Sequence, residues 1–278
     1  PTVFLGARGV INFDLTVKLR DKSYHSGNWG GLLRNPGTVL ASAIAAIVDA
    51  RGRILVPELR PPELSPRLRE LLSDLTVGGG AHDPEIDDNW GEPGLTASER
   101  LYGWNAIEIL TFKTGEPGRP QNAIPSSATA RMQLRFVVGT RIESCVDALR
   151  AHLDQAGFPM VAIENAKSDV MAATRLDPDD RWVRWAEASI YRTTRKRVAI
   201  VPNLGGSLPN EIFAIQLALP TLWVPHSYPA CGQHGPDEHM LGSIAREGMA
   251  MMTGLLWDLG EDGPAMIDRK QAACARAL

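Results

Sequence analysis

The chain has few cysteines, little net charge and no long apolar run. Three of its 278 residues are cysteines, at the distant positions Cys145, Cys231 and Cys274. So few and so scattered, they do not form a disulfide framework, and we expect a reducing, cytoplasmic compartment. A net charge of -3 gives no electrostatic reason to expect nucleic acid or an anionic membrane as a partner. Because no apolar run approaches the roughly 18 residues of a membrane span, we expect no transmembrane segment.

An initiator methionine is also lacking, and the first residues lead directly into a predicted strand. They do not resemble a signal peptide, which needs a basic start, an apolar stretch and a cleavage site. We therefore expect the chain to be a fragment of a larger protein. Any targeting segment is then expected to lie in the rest of that protein.

A regular succession of strands and helices fills the first half. Residues 10–19 alternate between apolar and polar side chains, which is the period of a half-buried strand. The predicted order is strand 10–19, a helix from Asn35-Pro36 to Arg51-Gly52, strands 107–112 and 129–138, a helix opened by a Thr140–Glu143 capping box and closed by Gly157, and strand 161–163. This β-α-β-β-α-β order predicts a ferredoxin-like domain of α+β type, with a long insertion at about residues 53–103.

Strands and helices alternate in the second half, as in an α/β layer. Asp177-Pro178 is predicted to cap a helix. Short apolar strands are predicted at 198–201 and 221–224, and such strands are typical of a parallel sheet buried on both faces. A Gly-rich turn at 203–209 is expected to lead into another helix, and the last long helix is expected to begin at Pro236. The predicted fold class is therefore α/β, a ferredoxin-like domain followed by an incomplete α/β layer.

His234, in the run His234-Gly-Pro-Asp-Glu238, is the first candidate for chemistry. A histidine at the predicted start of a helix is a suitable metal ligand, because imidazole is a common ligand of zinc. The alternative is a loop histidine that caps the helix or makes a hydrogen bond. His239 does not complete a helical zinc pair, because such histidines are four residues apart and these two are five apart.

Two Gly-rich loops carry further candidates. His25 follows a predicted strand, where an imidazole either donates to a developing oxyanion or completes a turn. Gly205, Gly206 and Ser207 also follow a predicted strand. Glycines there let the backbone approach a ligand, and free N–H groups favour a carboxylate or phosphate. An ordinary tight turn between strand and helix is the alternative.

Three polar residues complete the set. Arg135 lies on the polar face of its predicted strand, where it either stays solvated or makes a two-point contact with a substrate carboxylate. Asn122 lies in the loop before that strand, where asparagine commonly serves turn chemistry. Cys231 is a candidate thiol nucleophile, although the sequence shows no histidine and asparagine arrangement around it.

The order of these motifs resembles the C-terminal part of the zinc-dependent peptidases and amidohydrolases that include carnosine-type dipeptidases, aminoacylases, acetylornithine deacetylase and glutamate carboxypeptidase. The likeness runs from about Gly6 to Gly260, and the dipeptidase-like branch is the most similar. The matching stretches are Arg8-Gly9, His25-Ser-Gly27 with Gly30-Gly31, Asn35-Pro36, Gly94–Leu101, Asn122-Ala-Ile-Pro125, Arg135, Gly205-Gly-Ser-Leu-Pro209 and His234-Gly-Pro-Asp-Glu238.

This resemblance implies a domain organisation. Residues 1–7 are expected to end a catalytic-domain segment, residues 8–168 to form a lid that dimerises, and residues 169–278 to form the returning half of the catalytic domain. It also implies a homodimer through the lid. The implied reaction is hydrolysis of the amide bond of a dipeptide or N-acyl amino acid by metal-activated water.

Roles for single residues follow from the same resemblance. His234 is expected to ligate one of two zinc ions. His25 is expected to stabilise the tetrahedral oxyanion in the site of the partner subunit. The expected substrate-binding residues are Asn122, Arg135, Gly205, Gly206 and Ser207. Arg135 is expected at the terminal carboxylate of the substrate.

The chain departs from this family because it lacks the half that holds the other zinc ligands and the general base. Hydrolysis by this mechanism needs both, and a zinc ion normally has at least three protein ligands. We therefore expect the isolated chain to bind zinc weakly or not at all, to be inactive, and to expose apolar surface. The alternatives are a non-catalytic dimerisation or binding module of the same fold and a hydrolase with Cys231 as nucleophile.

Overall fold

An antiparallel sheet covered by two helices forms the first part of the chain. In the computed structural model, residues 1–80, 83–164, 166 and 170–266 are described. The strands are β1 (Thr2–Phe4), β2 (Gly6–Ala7), β3 (Gly9–Lys18), β4 (Tyr24–His25), β5 (Ala106–Thr114), β6 (Ala123–Ile124), β7 (Ser127–Phe136), β8 (Val161–Glu164), β9 (Val170–Met171), β10 (Thr174–Arg175) and β11 (Ala199–Val201). The helices are α1 (Ser26–Trp29), α2 (Pro36–Ile47), α3 (Pro66–Ser73), α4 (Ala97–Gly103), α5 (Cys145–Gln155), α6 (Arg181–Thr194) and α7 (Gly242–Met266).

The main sheet has the strand order β5-β7-β3-β8, and β9 lies beside the start of β3. All neighbouring strands are antiparallel. Helix α2 follows β3 along the chain, and α5 follows β7. This is the ferredoxin-like arrangement, so the fold predicted for the first half is confirmed.

The sheet has one apolar and one polar face. The inward side chains of β3 are buried, as the alternation in the sequence predicts. The buried core on this face includes Ile11, Phe13, Leu15, Val17, Leu40, Ile44, Met132, Leu134, Leu149 and Leu153. The opposite face carries the polar residues of β3 and β7, and these are available for a functional site.

Helix α2 ends one turn earlier than predicted. It stops at Ile47, whereas the sequence predicts an end at Arg51-Gly52. Val48 has an extended conformation and pairs with Ile54. The Asp49 carboxylate closes the intervening turn by accepting two backbone hydrogen bonds. These contacts satisfy the backbone without further helix.

The prediction of a capping box at Thr140–Glu143 is wrong. Residues Ile142–Ser144 form a 3-10 turn, and α5 begins at Cys145. The Thr140 hydroxyl instead accepts a hydrogen bond from Asn105 Nδ2 at 2.9 Å. Because Asn105 is buried and distant in sequence, this tertiary contact overrides the local capping pattern.

The predicted insertion contains a small core of its own. Helices α3 and α4 pack through a cluster that includes Leu64, Leu68 and Leu72. Between residues 74 and 96, the described part of the insertion forms neither helix nor strand, as predicted for a surface segment. Ion pairs of Arg67 with Asp179 and of Arg197 with Asp74 join it to the second part of the chain.

The second part contains the parallel pair β1 and β11 and the packed helices α6 and α7. The parallel strand predicted at 198–201 is confirmed, as residues 199–201. Helix α6 is capped by Asp180 rather than by the predicted Asp177. The Asp180 carboxylate accepts the Trp182 N–H at 2.8 Å, and Asp177 accepts the Asp179 N–H in the turn before it.

Of two further predictions for this part, one is wrong and one is confirmed. Residues 221–224 form only an isolated bridge, between Trp223 and Phe4, instead of a strand. The turn at 203–209 leads into a helix, as predicted, and this helix is the short π-helix Ile212–Gln216. Apolar runs of this kind are compatible with either outcome, and tertiary pairing decides between them.

The last helix begins later than predicted, at Gly242 rather than at Pro236. His234 and Asp237 have φ angles of 62° and 61°, which lie in the left-handed region. This conformation prevents a right-handed helix from starting at Pro236. The favourable placement of His234 at a helix start is therefore not realised.

Apolar side chains are exposed after the Gly-rich turn. The exposed set includes Ile212, Phe213, Ile215, Leu217 and Leu219. This agrees with the expectation that the second half exposes apolar surface.

The predicted domain limits fall partly on undescribed residues. The boundary between 8–168 and 169–278 lies outside the described residues, so the three domains, including 1–7, stay predictions. Cys274 also lies outside them. Within the described ranges, no helix combines the length and the apolar character that crossing a membrane requires. The expected cytoplasmic location stays a prediction.

Candidate functional site

Arg135 lies near the end of β7, on the polar face of the main sheet. Its Nε donates to Gln133 Oε1 at 3.0 Å. A terminal nitrogen of the same guanidinium donates to the Ser207 hydroxyl at 2.9 Å. The second bond crosses from the sheet to the Gly-rich turn, so two of the predicted substrate-binding residues are in direct contact.

The turn that carries Ser207 is held by two buried asparagines. Asn203 Nδ2 donates to the Thr174 carbonyl at 3.1 Å, and Asn210 Nδ2 donates to the Thr174 hydroxyl at 2.7 Å. Both asparagine side chains are fully buried, where water does not compete for these bonds. The turn is thus attached at both ends to β10.

Gly205 and Gly206 differ in the space around them. A Cβ at Gly205 would contact the Leu101 side chain at 3.3 Å. A Cβ at Gly206 would meet only Leu204, at 3.9 Å, and Gly206 is exposed. The backbone is therefore accessible at Gly206, whereas the Leu101 side chain lies close to Gly205.

Arg8 is a buried cation beside the same turn. Its Nε donates to the Gly205 carbonyl at 2.8 Å, and its backbone N–H donates to the Leu204 carbonyl at 3.2 Å. Only 8% of Arg8 is exposed. Such burial of a charged group requires hydrogen bonds and a compensating charge.

The electrostatics around Arg8 reflect this burial. The pKa of Arg8 is lowered to about 10, mainly by burial and then by the positive charge of Arg135, while Glu108 and Tyr102 oppose the shift. Burial raises the pKa of the Glu108 carboxyl, and Arg8 opposes that shift. Two guanidinium groups and one carboxylate therefore share this region, which favours an anionic ligand.

His25 and Asn122 form a second group. Strand β4 pairs with β6, which places His25 opposite Ala123. The Ser26 N–H and the Ser26 hydroxyl each donate to the Asn122 carbonyl at 2.9 Å. Both His25 and Asn122 are exposed, so their side chains are accessible to a ligand or to another molecule.

The two groups lie at opposite ends of β7. Asn122 precedes the first residue of this strand, Ser127, whereas Arg135 is near its last residue. Eight residues separate Ser127 from Arg135, which corresponds to about 27 Å along a strand. An extended dipeptide spans only about 7 Å. One copy of the chain therefore does not bring His25 and Arg135 to the same small peptide.

His234 lies in an exposed loop between β11 and α7. His239 in this loop contacts Tyr228, with Nε2 at 2.5 Å from the Tyr228 hydroxyl. Among the described residues, no group of three or more His, Cys, Asp or Glu side chains is arranged to hold a metal ion. These residues do not by themselves fit a zinc site. The role of His234 as a zinc ligand stays a prediction.

The cysteines within the described ranges are buried. Cys231 is only 3% exposed, which gives no support to a role as nucleophile. Burial raises the pKa of the Cys145 thiol to about 11. A thiol with this pKa is almost entirely protonated at neutral pH, so Cys145 is a structural residue.

Comparison with known proteins identifies the family. A profile of the peptidase dimerisation domain matches residues 5–160, which is more than half of the chain. The chain belongs to the M20 peptidase dimerisation family. The matched dimerisation domain contains His25, Asn122 and Arg135, and the turn with Ser207 follows it.

Relatives of this chain include dipeptidases. The Cys-Gly metallodipeptidase dug1 of Schizosaccharomyces pombe is 25% identical over 264 residues, which cover 86% of this chain and 52% of that protein. The Beta-Ala-His dipeptidase of Rattus norvegicus is 42% identical over 57 residues, 20% of this chain and 12% of that protein. The chain spans about half the length of the S. pombe protein.

The fold is shared with a solved peptidase structure. The M20 family metallo-carboxypeptidase Sso-CP2 of Sulfolobus solfataricus superposes with a TM-score of 0.74 and 20% identity. The match covers 92% of this chain and 59% of that chain. The predicted α/β fold class is thereby confirmed. The match to the peptidase dimerisation domain and the similarity to the S. pombe metallodipeptidase confirm the dipeptidase-like resemblance.

Two residues of the site were not predicted from the sequence. Arg8 belongs to one of the matching stretches, but the sequence assigns it no role, and Gln133 is one of the polar residues of β7. Both act through contacts with residues far away in sequence or on a neighbouring strand. The polar alternation along β7 was the available signal for Gln133, but it does not distinguish a solvated amide from a bonded one.

Proposed function

We propose that the chain is the lid-containing part of a dipeptidase-like hydrolase and that Arg135 and Ser207 bind the terminal carboxylate of a dipeptide or N-acyl amino acid. The hydrogen bond between Arg135 and Ser207 carries this proposal. It joins the sheet and the Gly-rich turn at one point, where Arg8 adds positive charge. A guanidinium suits a carboxylate because its N–H groups form two parallel hydrogen bonds with the oxygens.

The role of the turn follows from its geometry. Ser207 offers a hydroxyl beside the guanidinium, and Gly206 offers an accessible backbone. A substrate carboxylate would take the place of Ser207 as an acceptor for Arg135, and the hydroxyl would then donate to the carboxylate. Gly205 keeps the turn close to Leu101 and Arg8.

For the whole enzyme, we propose a centre of two zinc ions with His234 as a ligand of one. The names of the relatives, a metallodipeptidase and a metallo-carboxypeptidase, support a metal. Zinc would supply polarisation of the substrate carbonyl and an activated water. The described residues do not complete a ligand set, so the chain alone is expected to hydrolyse no peptide.

A titration with a small carboxylate tests the proposed site. N-acetylglycine is expected to bind the chain with a dissociation constant on the order of millimolar. N-acetylglycinamide has a similar shape but no charge, and it is expected not to bind. The binding of both compounds is measured from the side-chain NMR signals of ¹⁵N-labelled arginine. Equal binding of the two compounds would contradict a carboxylate site.

We further propose a homodimer through the lid. Strand β5 is an edge strand that pairs with β7 on one side, and its Ile109, Leu110 and Phe112 are 48%, 51% and 44% exposed. An exposed apolar edge strand favours association with another strand. The homodimer would also allow His25 and Asn122 of one subunit to reach the Arg135 site of the other.

Leu110→Lys is expected to convert this dimer into a monomer, because a lysine on an edge strand opposes pairing. Size-exclusion chromatography with light scattering measures the mass. Tyr191→Lys on α6 is the control, since Tyr191 is similarly exposed, at 52%, but lies outside the sheet. A Leu110→Lys protein that keeps the mass of a dimer would exclude β5 as the contact.

A non-catalytic dimerisation or binding module is the second candidate. The match of residues 5–160 to a peptidase dimerisation domain is the observation that favours it. Hydrolysis by the whole protein with added zinc distinguishes the two. Peptide hydrolysis that chelation abolishes supports the enzyme, and carboxylate binding without hydrolysis supports the module.

A further inference from the structure

A hydrogen-bonded row of side chains crosses the polar face of the main sheet. Gln133 on β7 lies directly opposite Asn12 on β3. Gln133 Nε2 donates to Asn12 Oδ1 at 3.0 Å, and Gln133 Oε1 accepts from Arg135 Nε at 3.0 Å. The row therefore runs from Asn12 through Gln133 and Arg135 to Ser207.

The chemistry of the donors fixes the orientation of the Gln133 amide. A guanidinium has only N–H donors, so the group that faces Arg135 Nε must be an acceptor. The Gln133 oxygen therefore faces Arg135, and the Gln133 NH₂ group faces Asn12. Asn12 completes the arrangement because its oxygen accepts from this NH₂ group.

Arg131, four residues before Arg135 on β7, shows a contrasting arrangement. It lies on the same face of β7, but the residue opposite is Asp14, and the two form an ion pair at 3.0 Å. Arg135 lies opposite Val10 and Ala106, which carry no charge. The ion pairs found among the described residues do not include Arg135. A neutral amide thus holds Arg135 without cancelling its charge.

We infer that Gln133 is a positioning residue that holds the Arg135 guanidinium toward Ser207 while leaving its charge available to an anionic substrate group. This inference rests on the proposed carboxylate site. Bonding of Nε fixes the plane of the guanidinium, so its terminal nitrogens point to the turn. Less ordering is then required when a carboxylate binds, which increases affinity.

Two substitutions of Gln133 distinguish the effect of its hydrogen bond to Arg135 from the effect of the charge at Arg135. Gln133→Met has a similar length but no acceptor, and it is expected to speed exchange of the Arg135 Hε with water about tenfold. N-acetylglycine is expected to bind it about three- to tenfold more weakly. Gln133→Glu keeps an acceptor, so Hε stays protected, but its negative charge is expected to weaken N-acetylglycine binding about tenfold.

The measurements use the 278-residue chain, with ¹⁵N spectra of arginine side chains in which Arg135→Lys assigns the Arg135 signal. Thr129→Val, on the same face of β7, is the control. It is expected to leave the exchange rate of the Arg135 Hε and the affinity for N-acetylglycine unchanged. Gln133→Asn, which is too short to reach Arg135, is the second variant if Gln133→Met does not fold. It is expected to show the same faster exchange.

Unchanged Hε exchange in the folded Gln133→Met or Gln133→Asn chain would overturn the inference. An unchanged affinity for N-acetylglycine in a variant whose Arg135 Hε exchanges faster would also overturn it. If the unsubstituted chain binds no N-acetylglycine but exchange is faster in Gln133→Met, Gln133 does hold Arg135. The carboxylate site, and with it the proposed function, then fails.

Discussion

Arg135→Met is expected to weaken the binding of N-acetylglycine about 10- to 100-fold, because hydrogen bonds to charged groups contribute about 1.5–3 kcal/mol and each 1.4 kcal/mol is a factor of ten. Methionine keeps an unbranched apolar stem on the sheet but removes the guanidinium that contacts Ser207. Affinity measured by NMR titration tests this expectation.

Arg131→Met is the matched control for this substitution. Arg131 is on the same strand and face as Arg135, but Asp14 already neutralises its charge. Its replacement is expected to change the affinity for N-acetylglycine by less than about twofold, although the loss of the ion pair lowers stability. Equal losses from the two substitutions would show that binding depends on general positive charge rather than on Arg135.

Arg135→Lys separates charge from geometry. Lysine keeps the positive charge but lacks the planar fork that makes two bonds to a carboxylate and a third to Gln133. We expect its affinity for N-acetylglycine to lie between that of the unsubstituted chain and that of Arg135→Met. Full recovery would mean that the charge alone is recognised.

A mixed dimer is expected to regain activity that neither parent dimer has. In the whole enzyme proposed above, His25→Ala is expected to lower kcat about 10²- to 10³-fold, as loss of an oxyanion donor does. Arg135→Ala is expected to lower kcat/KM comparably. A dimer of one subunit of each kind would then contain one intact site, built from Arg135 of the first subunit and His25 of the partner, and show about half the activity of the unsubstituted dimer.

The physical reason is the separation of the two groups. His25 and Asn122 are near one end of β7 and Arg135 is near the other, about 27 Å away along the strand. A dipeptide does not reach from one to the other within one subunit. Two differently tagged subunits, co-expressed and purified in tandem, give the mixed dimer.

A reversed pairing is the control for the mixed dimer. When one subunit carries both substitutions and the other none, sharing across the interface leaves both sites damaged, so almost no activity is expected. If each site were built within one subunit, this dimer would keep about half of the activity. That result, with no recovery in the first mixed dimer, would exclude a shared site.

Local patterns in the sequence predicted most of the sheet. The alternation of apolar residues along β3 fixes which side is buried, because side chains on a strand alternate between its two faces. The Asn35 cap of α2 is also correct, since its side chain accepts the Gly37 N–H as the sequence suggests. Such features depend on residues that are close together in the chain.

Elements that depend on distant partners were predicted poorly. Thr140 looks like a helix cap, but buried Asn105 bonds its hydroxyl, and α5 begins at Cys145. Residues 221–224 look like a buried strand, but they make a single bridge. The helix expected at Pro236 does not start because the backbone at Asp237 is left-handed. In each case, a tertiary contact or a loop conformation replaces the local preference.

The sequence by itself determined the ferredoxin-like order of elements, the polar face of β7 and the set of candidate residues, because these follow from side-chain periodicity and motif order. Only the tertiary structure decided how the candidates are grouped. It joins Arg135 to Ser207 and places His25 with Asn122 at the other end of the sheet. It also adds Arg8 and Gln133, because hydrogen bonds between residues far apart in the chain, or on neighbouring strands, form only after the sheet and the turn have packed together.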